Sequence, residues 1–309
     1  MKKLTIFEMP SLYREPLEVT GFRFGEGEKG AAVVGGMRGD EIQQLYICSQ
    51  LVRRLKSIEA QGGVRSGACI EVIPCVNPYS VNIGKRFWAM DDTDINRMFP
   101  GYDQGETTQR IAAGLFKHLE GWKWGIQFAS YYVRGFFLPH VRMMRTDFSD
   151  PQAALDFGLP YVLVRRPLPI DTTMLNYNWQ IWDTKAFTLL TSATDRIDAP
   201  SADVAVNAVL RFLVRQGLID CEVAEGVKPE IISNDSLVVV HAFAAGIFRP
   251  MVKPGDCVQK RDLLGEILDP CEGDVLSEVT AEENGCVFFV CEDALVMQRQ
   301  ILYGLCPIV

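Results

Sequence analysis

The hydrophobic pattern of the first third of the chain predicts a strand, a helix and a second strand. Residues 31–34 are all apolar and lead into a glycine pair at 35–36, a pattern typical of a buried parallel strand. Apolar residues then recur at helical spacing from Glu41, and a glycine pair at 62–63 ends this predicted helix. Residues 68–73 form the next apolar run. This order predicts a right-handed parallel unit.

Similar patterns continue to about residue 222. Helical periodicity covers residues 107–119 and 201–216, and Gly217 closes the second of these helices. Short apolar runs typical of buried strands cover residues 125–129, 161–164 and 187–191. Strands and helices that alternate in this way predict an α/β fold, with a mostly parallel or mixed central sheet flanked by helices.

Beyond residue 222 the helical periodicity is lost. Short apolar runs are broken by glycine, aspartate and proline, as at 254–256. Such runs predict a smaller all-β sandwich or barrel-like domain. We therefore expect an α/β domain over residues 1–222 and a β domain over residues 223–309. No lysine occupies an obvious hairpin tip, so we do not expect a biotinyl or lipoyl carrier role.

Composition narrows the class of protein. The chain has 309 residues, of which 48% are hydrophobic, enough for two cores. Its net charge is -8 and no Lys/Arg run exceeds two residues, so we expect no nucleic-acid partner. The longest apolar run, residues 237–248, is shorter than the roughly 20 residues of a membrane span, and Glu8 and Pro10 interrupt any leader-like start. Nine cysteines without a Cys-x-x-Cys pair suit a reducing cytoplasm, the expected location.

The candidate chemistry is concentrated in residues 85–101. An acidic, turn-prone run precedes the adjacent pair Asn96 and Arg97, and Arg86 lies upstream in the same stretch. Two guanidinium groups and an amide form a receptor for a small carboxylate, because the guanidinium fork matches the two carboxylate oxygens. The alternative is that this pair lies in an ordinary solvated turn.

These residues also carry a resemblance to a known family. Arg86, the run Asp-Ile-Asn-Arg at 94–97 and Phe-Pro-Gly at 99–101 resemble the signature of the succinylglutamate desuccinylase/aspartoacylase family. This family belongs to the zinc carboxypeptidase superfamily. Two upstream segments match in order and separation, Gly-Gly-Met-Arg-Gly-Asp-Glu at 35–41 and Ile-Pro-Cys-Val-Asn-Pro at 73–78. Residues 246–265 are similar to the β domain of the family.

The resemblance implies roles for three residues. An arginine at the position of Arg86 polarises the scissile carbonyl, and the pair at Asn96 and Arg97 grips the carboxylate of the amino-acid substrate. All three residue types are present. The resemblance therefore implies that the substrate-holding half of the site persists.

The resemblance also implies a zinc site, and here the chain departs from the family. The first two family ligands are a histidine and a glutamate, which align with Arg38 and Glu41. The third ligand is a histidine that aligns with Ala129, and the general base is a glutamate that aligns at Ala193. Only Glu41 is retained, so we expect no zinc cofactor and a degenerate metal site.

Arginine at position 38 changes the expected electrostatics of this site. A guanidinium stays protonated in proteins and cannot ligate zinc. It can instead supply positive charge beside Glu41, which would otherwise be a buried uncompensated carboxylate. We therefore predict an ion pair between Arg38 and Glu41, the alternative being that Arg38 lies in solvent.

The chain has three histidines. His118 is expected on a helix surface, and His241 is expected to be structural in the β domain. His140 follows the position of the missing third ligand and is a candidate for lining the binding site. Arg134, Arg142 and Arg145 follow the same strand and predict an anion-attracting cleft, or are ordinary surface arginines.

Three functions follow from these observations. The favoured one is a pseudoenzyme that binds a small carboxylate or an N-acyl amino acid without zinc hydrolysis. The second is a metal-dependent deacylase of N-acyl amino acids that uses unidentified ligands. The third is a non-catalytic subunit that assembles with an active relative, and a homo-oligomer is a further alternative for its assembly.

Overall fold

The computed structural model describes residues 1–11, 13 and 15–307. Its α-helices are α1 Ile42–Ala60, α2 Pro78–Asn82, α3 Thr107–Leu119, α4 Pro151–Ala154, α5 Leu175–Ile181 and α6 Ala199–Arg215. Its 3₁₀ turns are Ile95–Arg97, Leu155–Phe157, Pro169–Thr173 and Asn234–Ser236. Within the described ranges, no helix is long and apolar enough to cross a membrane.

The strands divide into one large sheet and two smaller ones. The large sheet contains β1 Lys2–Met9, β2 Leu17–Phe24, β3 Gly27–Val34, β4 Gly67–Ile73, β5 Trp124–Phe128, β7 His140–Met144, β8 Tyr161–Arg165, β9 Lys185–Leu190 and β10 Glu230–Ser233. The smaller sheets contain β6 Gly135–Phe137, β11 Val238–His241, β12 Gly246–Pro250, β13 Cys257–Val258, β14 Leu263–Leu268, β15 Val275–Thr280, β16 Gly285–Cys291, β17 Leu295–Val296 and β18 Ile301–Pro307.

The large sheet is mixed, with the strand order β1-β2-β4-β3-β5-β9-β7-β8-β10. Strands β4, β3, β5 and β9 are parallel neighbours, so the predicted strand–helix–strand unit of β3, α1 and β4 is confirmed. Strands β1 and β2 form an antiparallel pair at one edge, and β7 runs antiparallel to β9. The prediction of a mostly parallel or mixed sheet flanked by helices is therefore confirmed.

Two hydrophobic cores cover the faces of this sheet. Alternate residues of β3 go to opposite faces, with Val33 in one core and Val34 in the other. Helices α1 and α6 cover the first face, where Phe157 stacks on Phe212 with ring centroids 4.3 Å apart. Helices α3 and α5 cover the second face, and Trp179 of α5 packs there. The central strands are buried on both faces, which is why their sequences are almost continuously apolar.

The chain separates into two compact units. The first contains residues 1–130, 139–190 and 194–231, and includes most of the large sheet. The second contains residues 131–138, 191–193 and 232–309.

The second unit is built from β-strands. One of its sheets has the order β11-β18-β16-β13, with β6 also paired to β16, and the other has the order β15-β14-β12-β17. Its recruitment of residues 131–138 was not predicted. The reason is a contact distant in sequence, in which Phe137 of β6 lies 4.6 Å from Phe289 of β16, measured between ring centroids.

Candidate functional site

The carboxyl ends of β3 and β5 deliver the predicted site residues to one edge of the sheet. The loop after β3 holds residues 35–41 and the segment after β5 begins at Ala129. Gly39 lies so close to the loop at residues 85–97 that a Cβ there would be 2.1 Å from the carbonyl oxygen of Lys85. Only glycine allows this approach, which brings the two loops together.

Arg38 is buried, with 2% of its surface exposed. Its Nη1 donates to Glu41 Oε1 at 3.0 Å, so the predicted ion pair is present and the alternative of a solvated Arg38 is wrong. Its Nη2 and Nε both donate to Asp94 Oδ2, at 2.8 and 3.1 Å. The sequence predicts an acidic turn at Asp94 but gives no sign of its contact with Arg38.

Glu41 is also buried, and both of its oxygens accept hydrogen bonds from the protein. Oε2 accepts from the backbone N–H groups of Met37 and Arg38, at 2.9 and 3.1 Å. Oε1 accepts from Arg38 and from the hydroxyl of Ser130, the latter at 2.7 Å. The carboxylate is therefore fully engaged by its own loop and by the segment after β5.

Arg86 lies beside this group with its side chain 24% exposed. Its Nη1 donates to Asp40 Oδ2 at 2.6 Å, and its Nη2 donates to Ser130 Oγ at 3.3 Å. The other oxygen of Asp40 is buried and has no hydrogen-bond partner among the described residues. Asp40 thus orients Arg86, a role that the sequence did not suggest.

Asn96 and Arg97 are adjacent but contact different elements. The side chain of Asp94 caps the 3₁₀ turn by accepting from the backbone N–H of Asn96 at 3.0 Å. The side chain of Asn96 is turned inward, where its Oδ1 accepts from Gln127 Nε2 at 3.1 Å. Arg97 Nη1 donates to the carbonyl oxygen of Ile170 at 2.8 Å. The two side chains therefore contact different parts of the first unit, Asn96 the sheet through Gln127 and Arg97 the turn at residues 169–173.

Arg97 also lies near an ion pair with a shifted pKa. Its Nη1 is 3.9 Å from Asp171, which accepts a hydrogen bond from Arg165 at 2.6 Å. Burial on its own would raise the pKa of Asp171. The hydrogen bonds from Arg165 and the Leu168 N–H, with the charges of Arg165 and Arg97, hold this pKa below its usual value.

The three histidines lie in different surroundings. His140 is buried at the start of β7 and pairs in register with Leu190, which places it at the carboxyl end of β9. His241 is an exposed residue at the end of β11. His118 lies on α3 as predicted and its side chain is 23% exposed, and its ring also contacts the buried carboxylate of Glu71. The sequence did not predict this contact, because Glu71 lies on β4, far away in sequence from α3.

The remaining predicted positions are distributed over both units. Ala129 is buried in the first unit, where its carbonyl oxygen accepts from Gln44 Nε2 at 3.2 Å. Ala193 is buried in the second unit. Of the three arginines of the predicted cleft, Arg142 lies within β7, Arg145 follows it, and Arg134 belongs to the second unit. Arg142 and Arg145 belong to the first unit, so the three arginines are divided between the two units.

Sequence reasoning missed four residues that organise the first unit's site: Asp40, Asp94, Gln127 and Ser130. Only Asp94 carried a local signal, because an aspartate two residues before another polar residue favours a side-chain-capped turn. Within the described part of the chain, no group of three or more His, Cys, Asp or Glu side chains is arranged to hold a metal ion.

The fold and these loops define a class of protein. Residues 28–211 match the family model described as the succinylglutamate desuccinylase/aspartoacylase catalytic domain. This match covers more than half of the chain, and the protein belongs to that family.

Particular proteins are similar to this chain in sequence or in fold. The chain is 25% identical over 292 residues to N-alpha-acetyl-L-2,4-diaminobutyric acid deacetylase of Halomonas elongata, covering 87% of this chain and 79% of that protein. The product-bound ectoine utilization protein EutE (DoeB) of Ruegeria pomeroyi has a similar fold, with a TM-score of 0.77 and 19% identity over 98% of this chain and 95% of the other. A succinylglutamate desuccinylase/aspartoacylase of Rhodobacter sphaeroides has a TM-score of 0.75 and 20% identity, over 94% and 89% of the two chains.

Proposed function

We propose that this protein binds a small carboxylate of the N-acyl amino acid class and does not hydrolyse it through zinc. The observation that carries the proposal is the position of Arg38, whose guanidinium lies between Glu41 and Asp94. A permanent positive charge occupies the surroundings of the one retained metal-ligand position.

The residues at the family's metal positions do not fit a zinc ion. A catalytic zinc requires about three nitrogen, sulfur or carboxylate donors. Here the three positions hold Arg38, Glu41 and Ala129. A guanidinium has no lone pair to donate, and a methyl group has none either. Glu41 is the remaining donor, and its oxygens already accept from the protein.

Electrostatics supports the same conclusion. A dication near Glu41 would lie beside the Arg38 guanidinium and be repelled by it. Moving Arg38 away would separate it from the buried carboxylate of Glu41 and the half-buried carboxylate of Asp94, and breaking a buried ion pair costs roughly 3–5 kcal/mol. The position that aligns with the family's general base holds Ala193, which has no group to accept a proton.

The proposal that the protein binds a carboxylate rests on two arginines that are partly exposed to solvent. The side chain of Arg86 is 24% exposed and that of Arg97 is 19% exposed. Both guanidinium groups can bind a carboxylate, because an arginine presents several N–H donors in one plane. Asn96 lies between them in sequence, and its side chain accepts a hydrogen bond from Gln127 of β5.

The test combines metal analysis with calorimetric titration of the purified protein. We expect substoichiometric zinc after dialysis against zinc, no release of amino acid from N-acetyl or N-succinyl amino acids, and measurable binding of at least one of them. Arg97→Ala should weaken that binding about tenfold or more, because it removes a charged hydrogen-bond donor. Arg53→Ala, on the exposed side of α1, is the matched control and should bind as the parent protein does.

Other outcomes would replace the proposal. Stoichiometric zinc with turnover of an N-acyl amino acid would establish a metal-dependent deacylase. Absence of both zinc and ligand binding, together with a stable complex with an active family member, would establish an assembly subunit. Equal affinity of the parent protein and Arg97→Ala would remove Arg97 from the binding site.

A further inference from the structure

A row of polar residues crosses the buried inner face of the large sheet. Gln127 of β5 is in register with Thr188 of β9, and Thr188 is in register with Arg142 of β7. Residues in register on neighbouring strands lie about 5 Å apart and point to the same face. This row lies on the face that α5 covers, since Trp179 of α5 contacts Gly125, two residues before Gln127.

Helix α5 places Asn176 over this row. The Trp179 ring packs against Gly125, and Gln180 donates to the carbonyl oxygen of Met144 at 3.3 Å. These two contacts fix the position of α5 along the strands. Asn176 lies one turn earlier than both, a shift of about 5–6 Å along the helix. Two residues along a strand span about 6.6 Å, so the same shift leads from Met144 to Arg142.

The direction of α5 agrees with this placement. The helix begins after the 3₁₀ turn Pro169–Thr173, whose Ile170 contacts Arg97 near the carboxyl edge of the sheet. Just beyond its end, Thr184 donates to the carbonyl oxygen of Trp122 at 2.8 Å, at the opposite edge. Asn176 and Gln180 are one turn apart on a shared stripe, and Gln180 faces β7.

The side chain of Asn176 has an unusual hydrogen-bonding state. It is 2% exposed, and neither its Nδ2 nor its Oδ1 has a hydrogen-bond partner among the described residues. Buried amides are almost always hydrogen-bonded in native proteins, and an exception calls for a physical explanation. A bound ligand that completes both hydrogen bonds is such an explanation.

We propose that Asn176 is the specificity residue of the binding site and that it selects a ligand whose side chain ends in a primary carboxamide. This inference rests on the proposed function, because it names the kind of N-acyl amino acid that the site prefers. The row starts one hydrogen bond from Asn96, since Gln127 donates to Asn96 at 3.1 Å. The ligand's polar side chain would thus lie against the face of the sheet that Asn96 contacts through Gln127.

The carboxamide assignment follows from the two partnerless atoms. A ligand carboxamide accepts from Nδ2 with its carbonyl oxygen and donates its own N–H to Oδ1, forming a reciprocal pair. A carboxylate only accepts, and it would leave Oδ1 facing a second oxygen. An ammonium only donates, and it would leave Nδ2 unpaired and add positive charge to a row that already contains Arg142.

The test is calorimetric titration with pairs of ligands that differ only in their terminal group. The pairs are N-acetylglutamine with N-acetylglutamate, and N-acetylasparagine with N-acetylaspartate. We expect the amide of at least one pair to bind about tenfold tighter or more than its acid, because a site built for a hydrogen bond rejects the analogue that lacks it. N-Acetyl-2,4-diaminobutyrate tests the cationic alternative.

Variants at position 176 separate this role from a structural one. Asn176→Leu should reduce the preference for the amide to within about twofold while the protein remains folded by circular dichroism. Asn176→Asp, which has only acceptors, should shift the preference towards N-acetyl-2,4-diaminobutyrate. Tyr177→Phe on the same helix is the control and should keep the amide preference of the parent protein.

The outcomes distinguish this inference from the proposed function. If N-acyl amino acids bind in an Arg97-dependent manner, but amide and acid bind equally and position 176 has no effect, this inference fails alone. That result would mean that a buried water only completes the hydrogen bonds of Asn176. If no N-acyl amino acid binds the parent protein, the proposed function fails and this inference fails with it.

Discussion

Arg38 and Asn176 are equally buried, each 2% exposed, but their hydrogen bonding is opposite. Arg38 donates to Glu41 and Asp94 within the same unit. Neither polar atom of Asn176 has a partner in the described chain. The cost of removing the guanidinium from water is offset inside the protein, whereas that of the amide is not. The two residues therefore differ in whether contacts within the described chain compensate the burial of a polar group.

The largest effect is expected when histidines replace Arg38 and Ala129. The double substitution Arg38→His with Ala129→His puts histidines at the two positions that align with the family's histidine ligands, and keeps Glu41. Two imidazoles and a carboxylate form a zinc-binding set. We expect zinc affinity to rise by about a thousandfold or more, measured by competition with a chelating dye. Equal zinc binding by the parent protein and the folded double variant would contradict the closed-site description.

Removing the central cation should destabilise the α/β unit. Arg38→Met leaves the buried carboxylate of Glu41 and the half-buried carboxylate of Asp94 without their countercharge. We expect the free energy of unfolding to fall by about 3–5 kcal/mol in urea denaturation. The control Arg53→Met, at an exposed position of α1, should change it by less than about 0.5 kcal/mol. A loss below about 1 kcal/mol for Arg38→Met would show that this ion-pair group contributes little.

Replacing Asn176 should increase the stability of the protein, in contrast to replacing Arg38. Asn176→Leu replaces a buried amide that has no partner with an apolar side chain of similar size. We expect the free energy of unfolding to rise by about 1–2 kcal/mol without ligand, because the desolvation cost of the amide is removed. Thermal and urea unfolding measure this change. A clear destabilisation would instead indicate that the protein itself satisfies Asn176.

The smallest effect concerns the buried carboxylate of Glu71. Burial alone would raise its pKa, but His118 and Arg23 lower it below the usual value for glutamate. A lowered pKa means that Glu71 contributes stability above its unfolded pKa of about 4.3 and loses it as the pH falls through the folded value. The stability difference between the parent protein and Glu71→Gln should therefore shrink as the pH falls below about 5. Urea unfolding at several pH values measures it, with the exposed Glu28→Gln as control.

The elements of the α/β fold were largely predictable. Periodicity and glycine positions placed the helix ending near residue 60 and the strands around it, because burial on one face or two leaves a direct mark on the sequence. The antiparallel insertion of β7 beside β9 was not predicted. Strand order depends on which segments meet in space, and residues 140–144 carry no local sign of their neighbour.

The candidate site was predictable in part. The pairing of Arg38 with Glu41 followed from the chemistry of two residues in one short loop. Asp94 as the second partner of Arg38, and the divergence of Asn96 from Arg97, depend on contacts across loops. Nothing in the local sequence distinguishes these orientations.

The residue types alone therefore predicted the family and the buried central strands, because these properties belong to individual positions or to short periodic segments. The three-dimensional arrangement decided that Asp94 completes the Arg38 group and that the amide of Asn176 is buried without a partner among the described residues. Whether a buried polar atom is satisfied depends on partners that come from distant segments, and only folding brings those partners within hydrogen-bond distance.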